Sequence, residues 1–255
     1  MQFKSAGLLF TILVIATLSI SAYPGNKTIL SGSKKSFSDS SIAEAPAIGV
    51  WISVYQGLGL DSLGLSADAF EKAIRGWEKL KKKGELSNSS VLSIADFSQP
   101  STSKRLYIID LEKNQLLFHT YVAHGRNSGK DQAVAYSNRA KSHMSSPGFY
   151  RTESTYYGSN GYSLKLSGLE KGINDNALRR AIVVHGANYV SESLIESQGY
   201  LGRSYGCPAI PTYLARPIIN TIKDGSCLFI HAPIQQYAQN SRLDKYLIKA
   251  SSFLK

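Results

Sequence analysis

Apolar side chains at Ala67, Phe70, Ala73, Ile74, Trp77 and Leu80 recur at steps of three and four, the spacing of one face of an α-helix. Asp68 and Glu71 fall in its first turn, where unpaired N–H groups favour negative charge, and the lysines of 79–83 end it before Gly84. The spacing predicts a capped amphipathic helix from Ser66 to that glycine, with Phe70 and Trp77 in the core. Beyond it the rhythm changes. Short runs rich in β-branched and aromatic residues occupy 91–97, 105–111, 115–123, 148–152, 163–166, 181–185 and 226–231, several separated by turn residues such as Lys113 and Asn114. Leu243, Tyr246, Leu247, Ala250 and Phe253 then share a helical face. The pattern describes a mainly β body with a peripheral helix at each end and no internal repeat.

The first residues follow another logic. An apolar run over 6–20 sits behind one early charge, Lys4, and is followed by the small Ser21 and Ala22. That is the layout of a secretory signal peptide cut near Ala22, and the run is shorter than the ~20 residues a spanning helix needs. Residues 23–45 are rich in Ser, Gly and Lys and read as a flexible linker. The chain therefore divides into a signal at 1–22, a linker at 23–45, a helical segment at 46–90 and a main domain at 91–255. Its 255 residues, 43% hydrophobic, suffice for one sizeable core. The formal charge of +11 falls to about +10 without Lys4. An exported protein of that charge, in the periplasm or on the wall, meets wall polymers and anionic lipid rather than nucleic acid.

Chemistry concentrates in HGANYVSESLIESQGYLGRSYGCPAIP, where His185 ends an apolar run and Cys207 follows 22 positions later in a glycine-flanked turn. An imidazole beside a thiol can take its proton and leave the nucleophilic thiolate. Gly206 allows close backbone approach, so amides of the turn can face a developing oxyanion, and Arg203 would add positive potential. The competing reading is a Cys207–Cys227 disulfide, which an oxidising compartment favours and which closes a loop worth roughly 3 kcal/mol. His124, after a predicted strand, would line a substrate cleft or sit in an exposed turn. Tyr162 and Arg151 are candidate substrate contacts, with core packing and a solvated charge as the plainer readings. His119, His143 and His231 lack ligand spacing and no HExxH is present, so neither a metal nor another cofactor is expected.

The segment resembles the active-site motif of the YkuD-type L,D-transpeptidases, a His-Gly pair followed by Ser-x-Gly-Cys; here these are His185, Gly186, Ser204, Gly206 and Cys207. DFSQPS, RLYIIDL, VAHGRNSG, SSPGFY, GYSLKLSGLE and AIVVHGANYV are similar in the same order to the murein-transpeptidase branch, covering most of 90–231. Tyr205 stands where the commoner pattern has His, and Pro208 and Ala209 stand where it has Arg. The resemblance implies a β-sandwich or barrel-like catalytic domain with Cys207 as nucleophile and His185 as base, oriented by a backbone carbonyl. Ser204, with Gly206 and Gly186, would shape the turn and oxyanion pocket, and Arg203, Tyr205, His124 and Tyr162 are candidate substrate contacts. The implied partners are peptidoglycan stem tetrapeptides, with carbapenem-type β-lactams as inhibitors. The implied outcome is crosslinking, or hydrolysis where water is the acceptor.

Two rivals remain at this point. Gly202, Ser204 and Gly206 match the GxSxG elbow of α/β-hydrolases, with Asp224 and His231 in the expected order. Yet Pro208 and Pro211 interrupt the helix that elbow requires, and 27 positions are too few for the intervening units. The other rival is a non-catalytic basic wall-binding module held by the Cys207–Cys227 disulfide. GLGLDS at 57–62 lacks the third glycine and the strand–helix context of a phosphate loop.

Overall fold

A computed structural model describes residues 45–243. The stretch expected as an export signal, all of the expected linker but its last residue, and the distal helical pattern beyond Leu243 lie outside them. Eight strands form one mixed sheet: β1 (Val91–Asp96), β2 (Leu106–Asp110), β3 (Gln115–Thr120), β4 (Gly148–Gly158), β5 (Gly161–Gly168), β6 (Val183–Ala187), β7 (Ala209–Pro211) and β8 (Cys227–His231). Their order is β3-β2-β1-β8-β4-β5-β6-β7. Past the end of β3, the Ala123 amide donates to the Ala209 carbonyl of β7 at 2.8 Å, so the two outer strands meet and the sheet is nearly closed into a barrel. The mainly β, barrel-like body that the resemblance implied is present.

Both faces of the central strands are covered. Alternate residues enter two separate cores, which is why these strands read as continuous apolar runs. Leu106, Ile108, Tyr150, Leu164, Leu228 and Ile230 pack in one core with Ile218 and Ile219 of helix α4 (Thr212–Ile222). Leu92, Ile94, Tyr107, Phe149, Cys227 and Phe229 pack in the other with the helices before the sheet, α1 (Ala45–Gly57) and α2 (Ala67–Lys82).

Helix α2 follows its sequence pattern closely. The Ser66 hydroxyl caps it by accepting the Ala69 amide at 3.1 Å, and Gly84 leaves it with φ +71°. Phe70, Ile74, Trp77 and Leu80 are buried against the sheet, each contributing about 1.5–3 kcal/mol by removal from water. Two other helices, α3 (Glu192–Gln198) and α5 (Gln235–Asn240), are short.

Four elements are not in the sequence expectation, α5 among them, which precedes the distal pattern read from Leu243 onward. β7 has three residues, too few for any periodicity to show. α3 carries no buried residue and so has no apolar stripe, although Ser191 caps its start and Gly199, with φ +80°, ends it. α4 begins directly after Pro211 and contains Pro217. Pro217 sits in the second turn, and the helix continues through it to bury Ile218, Ile219 and Ile222.

Candidate active site

Parallel pairing of β6 with β7 puts His185 opposite Ala209, two residues beyond Cys207. The loop carrying α3 therefore brings Cys207 back beside the strand that holds His185. Both side chains open into one cleft of about 470 Å³, with Tyr189, Arg126, Arg203 and Tyr205 around them. Asn160, from the β4–β5 turn, and Tyr200 complete its rim.

The turn at 204–207 is fixed by its serine. Ser204 Oγ donates to the Cys207 carbonyl at 2.6 Å and accepts the Gly206 amide at 3.0 Å, while the Ser204 amide donates to the His124 carbonyl at 3.0 Å. Gly206 adopts φ +120°, and a Cβ there would lie 2.7 Å from the Met144 carbonyl oxygen, so only glycine fits. Its amide is occupied by Ser204 and is not an oxyanion donor. The Cys207 amide, by contrast, has no acceptor among the described residues. Gly186 serves packing: a Cβ there would meet Ala215 Cβ of α4 at 2.8 Å.

His185 Nδ1 lies 3.0 Å from the Gly186 carbonyl. A proton on Nδ1 satisfies that contact and leaves Nε2 as the basic nitrogen. Burial pushes the imidazole below its ordinary range, offset in part by this hydrogen bond. Cys207 Sγ accepts the Val183 amide at 3.5 Å and donates to the Ala181 carbonyl at 3.7 Å. Burial pushes the thiol up, while the Val183 amide and the Arg180 charge pull it down. The resting pair is thus a neutral thiol and a neutral imidazole.

The remaining candidates are placed differently from their sequence readings. Arg203 is at the rim, its guanidinium donating to the carbonyls of Arg126 and Gly129 and lying over the Tyr200 ring; the cation acting on the thiol is Arg180 instead. Tyr205 is exposed in the cleft, its ring tilted against that of His143 with centroids 4.5 Å apart. His124 is neither a cleft residue nor exposed: it is fully buried, 2.8 Å from Arg105 through Nδ1. Tyr162 faces α4, its hydroxyl donating to Asn220 at 2.7 Å, outside the cleft. Arg151 pairs with Glu85 and Glu153.

The disulfide alternative fails on strand parity. Both thiols are free; Cys207 lies in the α4-side core and Cys227 in the core beneath α2, across the sheet. The serine-elbow alternative fails too. Ser204 is buried with its hydroxyl engaged twice, and His231 lies on the α2 side, 3.6 Å from Asp68. Among the described residues, no group of three His, Cys, Asp or Glu side chains is arranged to hold a metal.

Arg180, Tyr189 and Arg126 were missed from sequence. Arg180 lies in the turn three residues before β6, and its place beside the nucleophile turn comes from contacts with the distant 137–146 loop, which leave no local signal in the sequence.

Residues 61–231 match the model of the L,D-transpeptidase catalytic domain, of the YkuD type. No curated protein matches the chain. Among solved structures it is similar to an L,D-transpeptidase from Mycobacterium smegmatis (13% identity, TM-score 0.35), over 56% of this chain and 59% of that one. It is also similar to one from Stackebrandtia nassauensis (13%, 0.34; 64% and 65%) and to a helical cell shape determining protein from Campylobacter jejuni (12%, 0.37; 64% and 56%). The chain spans less than two thirds of the length of each. With the family's domain matched across 61–231, the greater part of its length, the chain belongs to the L,D-transpeptidase catalytic-domain family.

Proposed function

We propose that this protein is an exported peptidoglycan L,D-transpeptidase that acts on stem tetrapeptides through a thioester on Cys207. The observation that carries the reading is the shared cleft of Cys207 and His185, with the imidazole held so that Nε2 is the free nitrogen. Nε2 takes the thiol proton, and Sγ attacks the carbonyl between the L-centre of the diamino acid and the terminal D-alanine. The Cys207 amide, which has no acceptor among the described residues, would donate to the oxyanion. The tetrahedral intermediate collapses with cleavage of the amide bond, His185 returning its proton to the departing D-alanine amine. An amine from a second stem, a protein lysine or water then attacks the thioester and releases Cys207, giving crosslinking, attachment or trimming. Arg126 and Arg203 suit a substrate rich in carboxylates. A carbapenem-type β-lactam presents a strained acyl group to the same thiolate.

The test is incubation of the mature protein and its Cys207→Ala variant with purified disaccharide-tetrapeptides, the products being read by mass spectrometry. A Cys207-dependent crosslinked dimer is the expected result. A Cys207-dependent tripeptide alone would make the enzyme a carboxypeptidase, and full turnover by the alanine variant would overturn the mechanism.

A further inference from the structure

We propose that Arg180 is the fixed cation that holds Cys207 as a thiolate once its proton has passed to His185, a positioning residue of the active site. The inference rests on the reading of Cys207 as nucleophile and goes beyond it.

The need arises from burial. Proton transfer from Sγ to Nε2 converts a neutral pair into two charges in a pocket from which both side chains are largely withdrawn from water, and desolvation opposes each charge. An added positive charge near sulfur must offset that opposition if the thiolate is to be populated near neutral pH. The charged and titratable groups around Cys207 are few. Arg126 and Arg203 stand at the exposed rim, where solvent and salt screen them. Tyr189 is a phenol pushed up by burial and stays neutral; Tyr205 is exposed beside His143.

Arg180 differs from all of these in how it is held. One guanidinium nitrogen donates to the Ser137 carbonyl at 2.8 Å and to Ser146 Oγ at 2.5 Å. The other donates to the Met144 carbonyl at 2.6 Å and to Ser142 Oγ at 3.3 Å. These partners are all neutral, and no carboxylate lies within ion-pair reach among the described residues. The charge is therefore fixed in place without being cancelled. Its position is set against the nucleophile turn: a Cβ on Gly206 would lie 3.1 Å from Arg180 Nη2. Burial lowers the guanidinium from its ordinary range, yet this group remains protonated in proteins. A structural arginine in a β-rich protein commonly finds an acid; this one is clasped by a loop that turns it toward the residue preceding the cysteine.

The experiment measures Cys207 alkylation by iodoacetamide against pH, located by peptide mass mapping, in the full chain, Arg180→Gln and Arg180→Lys. Loss of the charge is expected to move the midpoint of the profile up by about one pH unit, so that the rate near pH 7 falls about tenfold while the alkaline plateau is unchanged. Arg180→Lys is expected to keep the midpoint within about 0.3 units of wild type. A glutamine profile that superimposes on wild type would overturn the proposal, as would a depressed plateau with an unmoved midpoint. Should the glutamine variant not fold, the lysine variant decides: a retained midpoint supports the charge role, and a shift of a full unit refutes it. The assay needs no peptidoglycan. A protein inactive on tetrapeptides whose midpoint still moves would sink the transpeptidase reading and leave Arg180 standing.

Discussion

Ser204 shows how a side chain can serve a reaction without touching the reacting atoms. Its hydroxyl donates to the carbonyl of Cys207 and accepts the amide of Gly206, closing a turn in which the sulfur, the φ +120° glycine and the unengaged Cys207 amide take fixed positions. Alanine would leave a buried amide and a buried carbonyl unpaired, at about 1–3 kcal/mol each. Ser204→Ala is expected to lower the melting temperature by roughly 2–4 °C per kcal/mol for a domain of this size. Its turnover on tetrapeptides should fall while Cys207 stays alkylatable. Loss of Cys207 labelling altogether, scored by intact mass after iodoacetamide, would mean that the turn held by Ser204 is needed for the thiol to react at all. At this scale the sequence was informative about His185 and Cys207, because a glycine-flanked cysteine and a strand-terminal histidine are local signals. It was silent about His124, whose burial depends on Arg105, nineteen residues earlier and on another strand edge.

The elements that could be read from sequence are those whose burial is periodic. α2 shows a 3.6-residue stripe and β1, β2 and β8 show continuous apolar runs, since each faces a core along its whole length. α3 lies on the surface and β7 is held by two neighbours over three residues, so neither leaves a stripe; α4 was obscured by its prolines. Within α2, Gly76 sets two effects against each other. Helix propensity favours Gly76→Ala by about 1 kcal/mol. An added Cβ, however, would come within 2.0 Å of the Phe149 ring, which is buried and stacked at 4.3 Å on Phe229 and cannot swing away. Overpacking of a fixed core commonly costs about 1–3 kcal/mol, so the clash should win. Gly76→Ala is expected to melt lower than wild type, and Gly76→Ala with Phe149→Leu to show favourable coupling in a double-mutant cycle. A higher-melting single variant would show that the α2–β4 contact is looser than its geometry indicates.

The nearly closed sheet is held at its seam by a buried polar pair as well as by the apolar packing of Ala123 and Ala209 with Ala187, Val190 and Leu201. After β3 the chain crosses to β7 through the Ala123 amide, and the next residue, His124, gives its carbonyl to Ser204 and its ring to Arg105. Arg105 is itself fully buried, held by the carbonyls of Val122 and Gln99 and by the Phe97 ring. A second positive charge cannot be added there cheaply: burial and the Arg105 charge push His124 down to about 4, from an ordinary value near 6.5. Because the folded state holds the neutral ring and the unfolded chain takes up the proton first, stability attributable to His124 is intact above about pH 6.5. It is lost progressively as pH falls toward 4, by roughly 3 kcal/mol in all. Acid would therefore loosen the seam that carries the nucleophile turn, a cost separate from protonation of His185 itself. Thermal melts between pH 7 and pH 4 should show a steeper loss for wild type than for His124→Gln, which starts less stable but has no proton to gain at that site. Parallel curves would mean that the buried imidazole does not set the acid limit of the fold.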